Sequence, residues 1–186
     1  NNKFGILTIS GSGAMADNSR YWARSGYDYR TPEGNERGRT INKVIVEEGV
    51  THIGQQAFYG CTYLTSVSLP STLESIGNLA FTDCPIETID IPSGVTSIGK
   101  SAFNGCSNLT SITIPEGVKY IESQAFQECS SLTSVTIPDG VIQIGMYAFV
   151  DCAGLQTVSI PSSIQSIENY ACLLYTSPSP RDVEES

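Results

Sequence analysis

Hydrophobic and polar residues follow one pattern that recurs along most of the chain. Between residues 41 and 171, a short alternating run ends in proline, and a turn, a second apolar pair and an Ala-Phe pair follow it. Five phenylalanines occupy the same position of the repeat, at steps of 23, 22, 23 and 23 residues: Phe58, Phe81, Phe103, Phe126 and Phe149. A repeat of this length with strand-forming positions indicates a solenoid of stacked coils.

One unit shows which side chains are expected to point into the solenoid. In the run LTSVTIP, Leu132, Val135 and Ile137 are predicted to face inward. Ser134 and Thr136 are predicted to face outward, because successive residues of a strand point to opposite sides. The proline that follows has no N–H group to offer a neighbouring strand, so it ends the ladder. We therefore predict a β-rich, right-handed solenoid of 22–23-residue units, each closed by a short helical or 3₁₀ turn at its Ala-Phe pair.

The chain is predicted to divide into three regions. Residues 1–40 combine a short strand, a cap and an aromatic, arginine-rich insert, and residues 41–171 form about six coils, the last incomplete. The insert, residues 18–39, has no strand or helix period and is predicted to be a long loop. It could cap the core of the first coil, contact a ligand or be disordered. Its candidate partner-binding residues are Tyr21, Trp22, Arg24, Tyr27, Tyr29 and Arg30.

The outward positions of the first strand form two columns rich in hydroxyl groups. One contains Lys43, Ser66, Thr88, Ser111, Ser134 and Thr157, and the other contains Ile45, Ser68, Asp90, Thr113, Thr136 and Ser159. Strand propensity and solubility alone would favour Ser and Thr at such positions. The alternative is a strip of weak, repeated contacts with a partner, for which the candidate residues are Ser68, Asp90, Thr113, Thr136 and Ser159.

Charge and residue spacing weigh against several functional classes. The net charge of −9 disfavours nucleic acid or an anionic membrane as a general partner, since both need a basic face. The five in-phase cysteines lack metal-ligand spacing and are interpreted as buried, mostly unpaired thiols, although one oxidised pair is left open. His52, the single histidine, has no nucleophile at a recognisable spacing and is interpreted as a surface residue. We predict no enzyme activity, no cofactor, no metal site and no membrane insertion.

The pattern L-x-x-V-x-I-P-x-G-V-x-x-I-G-x-x-A-F-x-x-C, matched almost in full in five consecutive units, resembles a known repeat. It is similar to the Treponema-type, or BspA-like, leucine-rich repeats of bacterial and some protist surface proteins. The segment from Leu7 to Met15 also resembles the stretch that precedes the first repeat in such proteins. The resemblance implies an extracellular or cell-surface protein that mediates adhesion or host contact.

The repeat loses its phase at Cys172, where a phenylalanine is expected. The run CLLYTSPSPRD, from Cys172 to Asp182, resembles the conceptual translation of a sequencing-library adapter. We therefore expect residues 172–186 to be a non-native, disordered tail. The alternative is a natural linker rich in serine and proline.

Taken from the sequence, the leading hypothesis is a non-enzymatic surface interaction module. Its repeated coils would present many weak contacts to a protein or glycan of a host or a neighbouring cell. The alternative is a structural spacer or stalk that presents another domain outside this chain.

Overall fold

The computed structural model describes residues 5–17 and 41–172. Twelve strands and no helix lie within these ranges. The strands are β1 (Gly5–Ile9), β2 (Gly13–Ala14), β3 (Ile41–Val46), β4 (Val50–Ile53), β5 (Ser66–Ser68), β6 (Ser75–Ile76), β7 (Ser97–Ile98), β8 (Ser111–Thr113), β9 (Tyr120–Ile121), β10 (Ser134–Thr136), β11 (Gln143–Ile144) and β12 (Ser166–Ile167).

Each strand pairs in parallel with an equivalent strand of a neighbouring coil. We number the coils 1 (41–63), 2 (64–85), 3 (86–108), 4 (109–131), 5 (132–154) and 6 (155–172), and call residues 5–17 the N-terminal coil. On the first face, β1, β3 and β5 form one sheet and β8 and β10 another. On the second face, the sheets are β2-β4-β6-β7 and β9-β11-β12. The predicted β-rich solenoid is confirmed, and the segment expected to hold a first strand forms a coil of its own.

The first face is interrupted at coil 3. Only an isolated bridge from Ser66 to Thr88 joins this coil to β5, and no strand forms between Thr88 and Asp90. The cause lies one turn earlier, where coil 2 is one residue shorter than its neighbours. There Ile86 donates its N–H to the carbonyl of Cys84 at 2.8 Å, across Pro85, which has no N–H to donate. The shorter turn therefore divides the first face into two sheets.

The closing segment of each coil differs from the helical or 3₁₀ form expected from the sequence. In coil 1, Ala57 donates its N–H to Gly54 within the coil, whereas Phe58 donates to the carbonyl of Ala80 in the next coil at 2.8 Å. Gln56 and Gly60 adopt positive φ angles of 57° and 71°. Consecutive turns that contain left-handed residues point every second backbone N–H along the solenoid axis, toward the next coil. A helix does not do this, because its N–H groups bond to carbonyls of the same helix. Backbone hydrogen bonds therefore join the coils at this corner too.

Five stacked phenylalanine rings form the centre of the core. All five are fully buried, with neighbouring centroids 5.2–5.5 Å apart and planes within 3–11° of parallel. The small alanine before each ring is fully buried as well. Among the described residues, only coil 5 packs against coil 6, and the inward positions Ile160 and Ile167 of coil 6 are 44% and 52% exposed. Burial of the repeated apolar residues therefore depends on the neighbouring coils.

Candidate interaction surfaces

The hydroxyl-rich columns predicted from the sequence lie on the first face. Ser66 pairs with Lys43 and Ser68 with Ile45, while Ser111 and Thr113 pair with Ser134 and Thr136 across the two sheets. The candidate residues Ser68, Asp90, Thr113, Thr136 and Ser159 are all exposed. Lys43 and Ile45 are half-buried. All five candidates belong to the second column, in which Thr113 pairs with Thr136, Asp90 lies in the gap between the sheets and Ser159 lies in no strand.

The hydroxyls of these columns have no hydrogen-bond partner among the described residues. By contrast, the threonine before the strand is engaged with the preceding coil: Thr110 Oγ1 donates to the carbonyl of Glu87 at 3.4 Å and Thr133 Oγ1 to that of Thr110 at 3.0 Å. One threonine position thus connects coils, and the outward columns remain available to water or a partner.

Two observations concern candidates beyond these columns. The pairing of β1 with β3 extends the first face by one coil and places Ile6 beside Lys43, with 63% of Ile6 exposed. The sequence reasoning missed Ile6 because its repeat began at residue 41. The insert candidates lie outside the described residues, so their role stays a prediction: Tyr21, Trp22, Arg24, Tyr27, Tyr29 and Arg30.

The five in-phase cysteines are buried free thiols, and four of them also connect coils. Cys84 Sγ donates to the carbonyl of Phe58 at 3.0 Å, and Cys106 Sγ donates to that of Phe81 at 3.2 Å. Cys129 and Cys152 repeat the contact one and two coils further on. Burial raises the pKa of the Cys106 thiol to about 12. Such thiols stay protonated near neutral pH, so they act as structural donors and not as nucleophiles.

His52 contacts two residues that the sequence reasoning did not connect with it. Its Nδ1 lies 2.7 Å from Ser75 Oγ, and its Nε2 lies 3.8 Å from Asp17 Oδ1. The second distance is too long for a hydrogen bond, and the same Asp17 oxygen accepts the N–H of Gln55 at 2.8 Å. The interpretation of His52 as a surface residue was incomplete, because it is half-buried and links the N-terminal coil to coils 1 and 2. Repeat phase could have found Ser75, which follows His52 by one period.

A carboxylate clamp joins coils 1 and 2 at the turn after the first strand. Glu48 accepts hydrogen bonds from the backbone N–H of Ser71 at 2.9 Å, from Ser71 Oγ at 3.0 Å and from the Thr72 N–H at 3.3 Å. Ser71 is the main cause of a pKa of Glu48 below its ordinary value of 4.5. These donors orient one turn against the next, which is a structural role.

Within residues 5–17 and 41–172, no group of three His, Cys, Asp or Glu side chains is placed to hold a metal ion. Over the same ranges, no helix has the length and hydropathy needed to cross a bilayer.

Parallel coils with a stacked phenylalanine core define a leucine-rich-repeat solenoid. The chain belongs to the BspA-type leucine-rich repeat family, whose six-copy model matches residues 37–130 and 96–177. It is similar to the leucine-rich repeat protein TpLRR of T. pallidum, with 27% identity and a TM-score of 0.69 over 84% of this chain and 75% of that one. A leucine-rich repeat protein of Bacteroides ovatus gives 27% identity and a TM-score of 0.72 over 90% of this chain and 42% of the other. No curated protein matches the chain.

Proposed function

We propose that this chain is a non-enzymatic interaction module that acts outside the cell or at its surface. The observation that supports this proposal is the exposed first face, where hydroxyl groups without a partner among residues 5–17 and 41–172 recur from coil to coil. The partner is a protein or glycan of a host or a neighbouring cell. The chain belongs to a leucine-rich repeat family, and stacked repeats create extended surfaces, which is consistent with an interaction function.

Binding would come from the number of contacts and not from one strong site. Neighbouring parallel strands are about 4.8 Å apart, so equivalent hydroxyls repeat at that spacing along the face. No aromatic ring lies among the outward residues Ser66–Ser68, Ser111–Thr113 and Ser134–Thr136, so each contact is weak. Several linked weak contacts raise avidity without any new contact chemistry. The net charge of −9 favours a neutral or basic partner.

Bulky charged substitutions on the first face test the proposal. The variant Thr113→Arg/Thr136→Arg is expected to lose binding to epithelial cells or matrix proteins when the protein is displayed as a tetramer. The matched control is Ser93→Arg/Ser97→Arg, which places the same charge at exposed residues away from that face. Equal binding by both variants, or no binding of the native chain at this avidity, contradicts the proposal.

A second candidate is a spacer that holds another domain away from the cell. The continuous phenylalanine stack and the backbone bonds between coils favour it, because both give a stiff rod. A spacer predicts that the chain alone binds nothing, while both arginine variants keep the native length in small-angle scattering.

A further inference from the structure

Coils 4 to 6 carry large outward side chains at positions where most other coils carry smaller or polar ones. The position of Tyr120 is occupied elsewhere by His52, Ser75, Ser97, Gln143 and Ser166. The position of Tyr147 and Tyr170 is occupied elsewhere by Gln56, Leu79, Ser101 and Gln124. Every coil packs its core in the same way, so the residues that other coils carry at these positions show what packing requires there. Packing does not require tyrosine at either position.

These residues form one continuous surface. Tyr120 pairs in register with Gln143 on the adjacent strand, and Gln143 Nε2 donates to Glu168 Oε1 at 2.6 Å. The other oxygen of Glu168 accepts the N–H of Met146 at 2.8 Å. Tyr147 follows Met146 in the chain and stacks on Tyr170, with centroids 5.5 Å apart and planes 7° from parallel. We name this surface the tyrosine patch: Tyr120, Gln143, Met146, Tyr147, Glu168 and Tyr170.

The tyrosine patch is largely exposed, and its tyrosines are not explained by core packing or by backbone preference. Tyr120 and Met146, which lie in coils packed on both sides, are 50% and 38% exposed, and Tyr170 of the last described coil is 58% exposed. Both Tyr147 and Tyr170 adopt a φ of 60°, a backbone conformation that bulky residues rarely take. Neither burial nor backbone preference therefore accounts for the tyrosines.

The chemistry of the patch fits a sugar. Exposed aromatic rings offer apolar faces to the C–H groups of a sugar ring and a polar hydroxyl at the edge. The amide of Gln143 and the carboxylate of Glu168 supply donors and acceptors for sugar hydroxyls, and the contacts above use only part of that capacity. A carboxylate at the centre and a net charge of −9 disfavour an anionic glycan.

The size of the patch also favours a small ligand over a protein. It spans coils 4 to 6, which is about 10 Å at the usual spacing of parallel strands. A stable protein interface needs about 800 Å² from each partner, far more than six side chains provide. A few sugar rings match this span.

We propose that the tyrosine patch binds a neutral oligosaccharide, with Tyr120 and Tyr170 as stacking platforms and Gln143 and Glu168 as hydrogen-bonding groups. This inference rests on the proposed interaction function but assigns the glycan to the second face and its corner, away from the hydroxyl columns.

Native affinity electrophoresis of the full chain tests it. The gels contain galactomannan, xyloglucan, mixed-linkage β-glucan, arabinoxylan or dextran, with alginate as the anionic comparison. The chain is expected to be retarded by at least one neutral polysaccharide and not by alginate. Tyr120→Ala is expected to weaken that affinity at least tenfold, and Tyr120→Phe to retain most of it because the ring remains.

Two controls keep the result interpretable. Tyr59→Ala removes an exposed tyrosine of coil 1 and should leave retardation unchanged. Thr113→Arg/Thr136→Arg should abolish cell binding but not retardation, which separates this inference from the function proposed above. Retardation by none of the neutral polysaccharides overturns the inference, as does full retardation of a Tyr120→Ala variant with native melting behaviour. Stronger retardation by alginate overturns the choice of a neutral ligand.

Discussion

On the inner side of the solenoid, equivalent positions in successive coils carry apolar residues of similar kind, whereas on the outer side their size and polarity change from coil to coil. The column from Phe58 to Phe149 holds one residue type, but the column that contains Tyr120 also holds histidine, serine and glutamine. Each inner side chain must pack on its equivalent about 4.8 Å away, so a change in one coil disturbs two others. Outer side chains such as Thr113 and Thr136 are exposed and do not have to fill the core. Function therefore has room on the outer side, where packing between coils does not fix the residue.

The largest effect should follow from breaking the inner column at its centre. Phe103→Ala removes a ring that stacks on Phe81 at 5.4 Å and on Phe126 at 5.5 Å. We expect a loss of about 3–5 kcal/mol in the free energy of unfolding, because the cavity has rigid walls on both sides. Urea titration followed by circular dichroism measures it, and Phe103→Leu should cost less. A loss below about 1 kcal/mol would contradict the stacked core.

A smaller loss should follow where backbones of adjacent coils touch. A Cβ atom at Gly99 would lie 2.6 Å from the backbone nitrogen of Asn78, closer than atoms can pack. Gly99→Ala should therefore destabilise the chain by about 1–3 kcal/mol, the usual cost of overpacking. Gly94→Ala is the matched control in the same coil, because its Cβ would lie 3.2 Å from the carbonyl oxygen of Leu73, a tight contact that a shift of a few tenths of an ångström relieves. Equal melting temperatures for the two variants would rule out this steric explanation.

A still smaller, pH-dependent effect is expected at the Glu48 clamp. The folded pKa of Glu48 lies below its ordinary value, so the clamp stabilises the fold above the unfolded pKa. This contribution should fade as pH falls through the lower folded value. Glu48→Gln should lower the melting temperature slightly at pH 7, and the difference from the native chain should shrink in acid. A difference that grows in acid would have the wrong sign.

The smallest effect on stability is expected on the outer side. Thr113 is exposed and its hydroxyl has no partner among the described residues. Thr113→Ala should change the free energy of unfolding by no more than about 0.5 kcal/mol, as is usual at exposed positions. A loss of stability comparable to that of Gly99→Ala would show that the first face stabilises the fold. It would contradict the distinction between inner and outer columns.

The sequence was sufficient for the architecture because stacking imposes strict periodicity. The residues predicted to face inward in coil 5, Leu132, Val135 and Ile137, are all buried. The conformation of the closing turns was not predicted correctly. A helical turn and two consecutive turns both place Ala148 and Phe149 on the inner side, so the apolar pattern does not distinguish them. The decision depends on amides such as that of Phe126, which bonds to the carbonyl of Ala148 in the next coil.

The surfaces were predicted less completely, for a physical reason. The exposure of Ser68 and Thr136 follows from strand alternation. Contacts between coils can be predicted only when the residues that share a column are known. Repeat phase places Ser75 beside His52, whereas nothing in the phase places Asp17 there. Its position depends on the pairing of β2 with β4, which includes a register shift between Gly13 and Ala14.

The thiol contacts have a consequence for how this chain can change over evolutionary time. Cys84, Cys106, Cys129 and Cys152 each donate to a carbonyl one coil earlier, and the backbone bonds and ring stacks also join equivalent positions. Excision of residues 109–131 would bring Phe149 onto Phe103 and Cys152 onto the carbonyl of Phe103, so that the ring stack and the thiol bonds are replaced by their counterparts. Recombination can therefore lengthen or shorten the molecule by whole units, while a single-residue deletion such as the one near Pro85 interrupts a sheet.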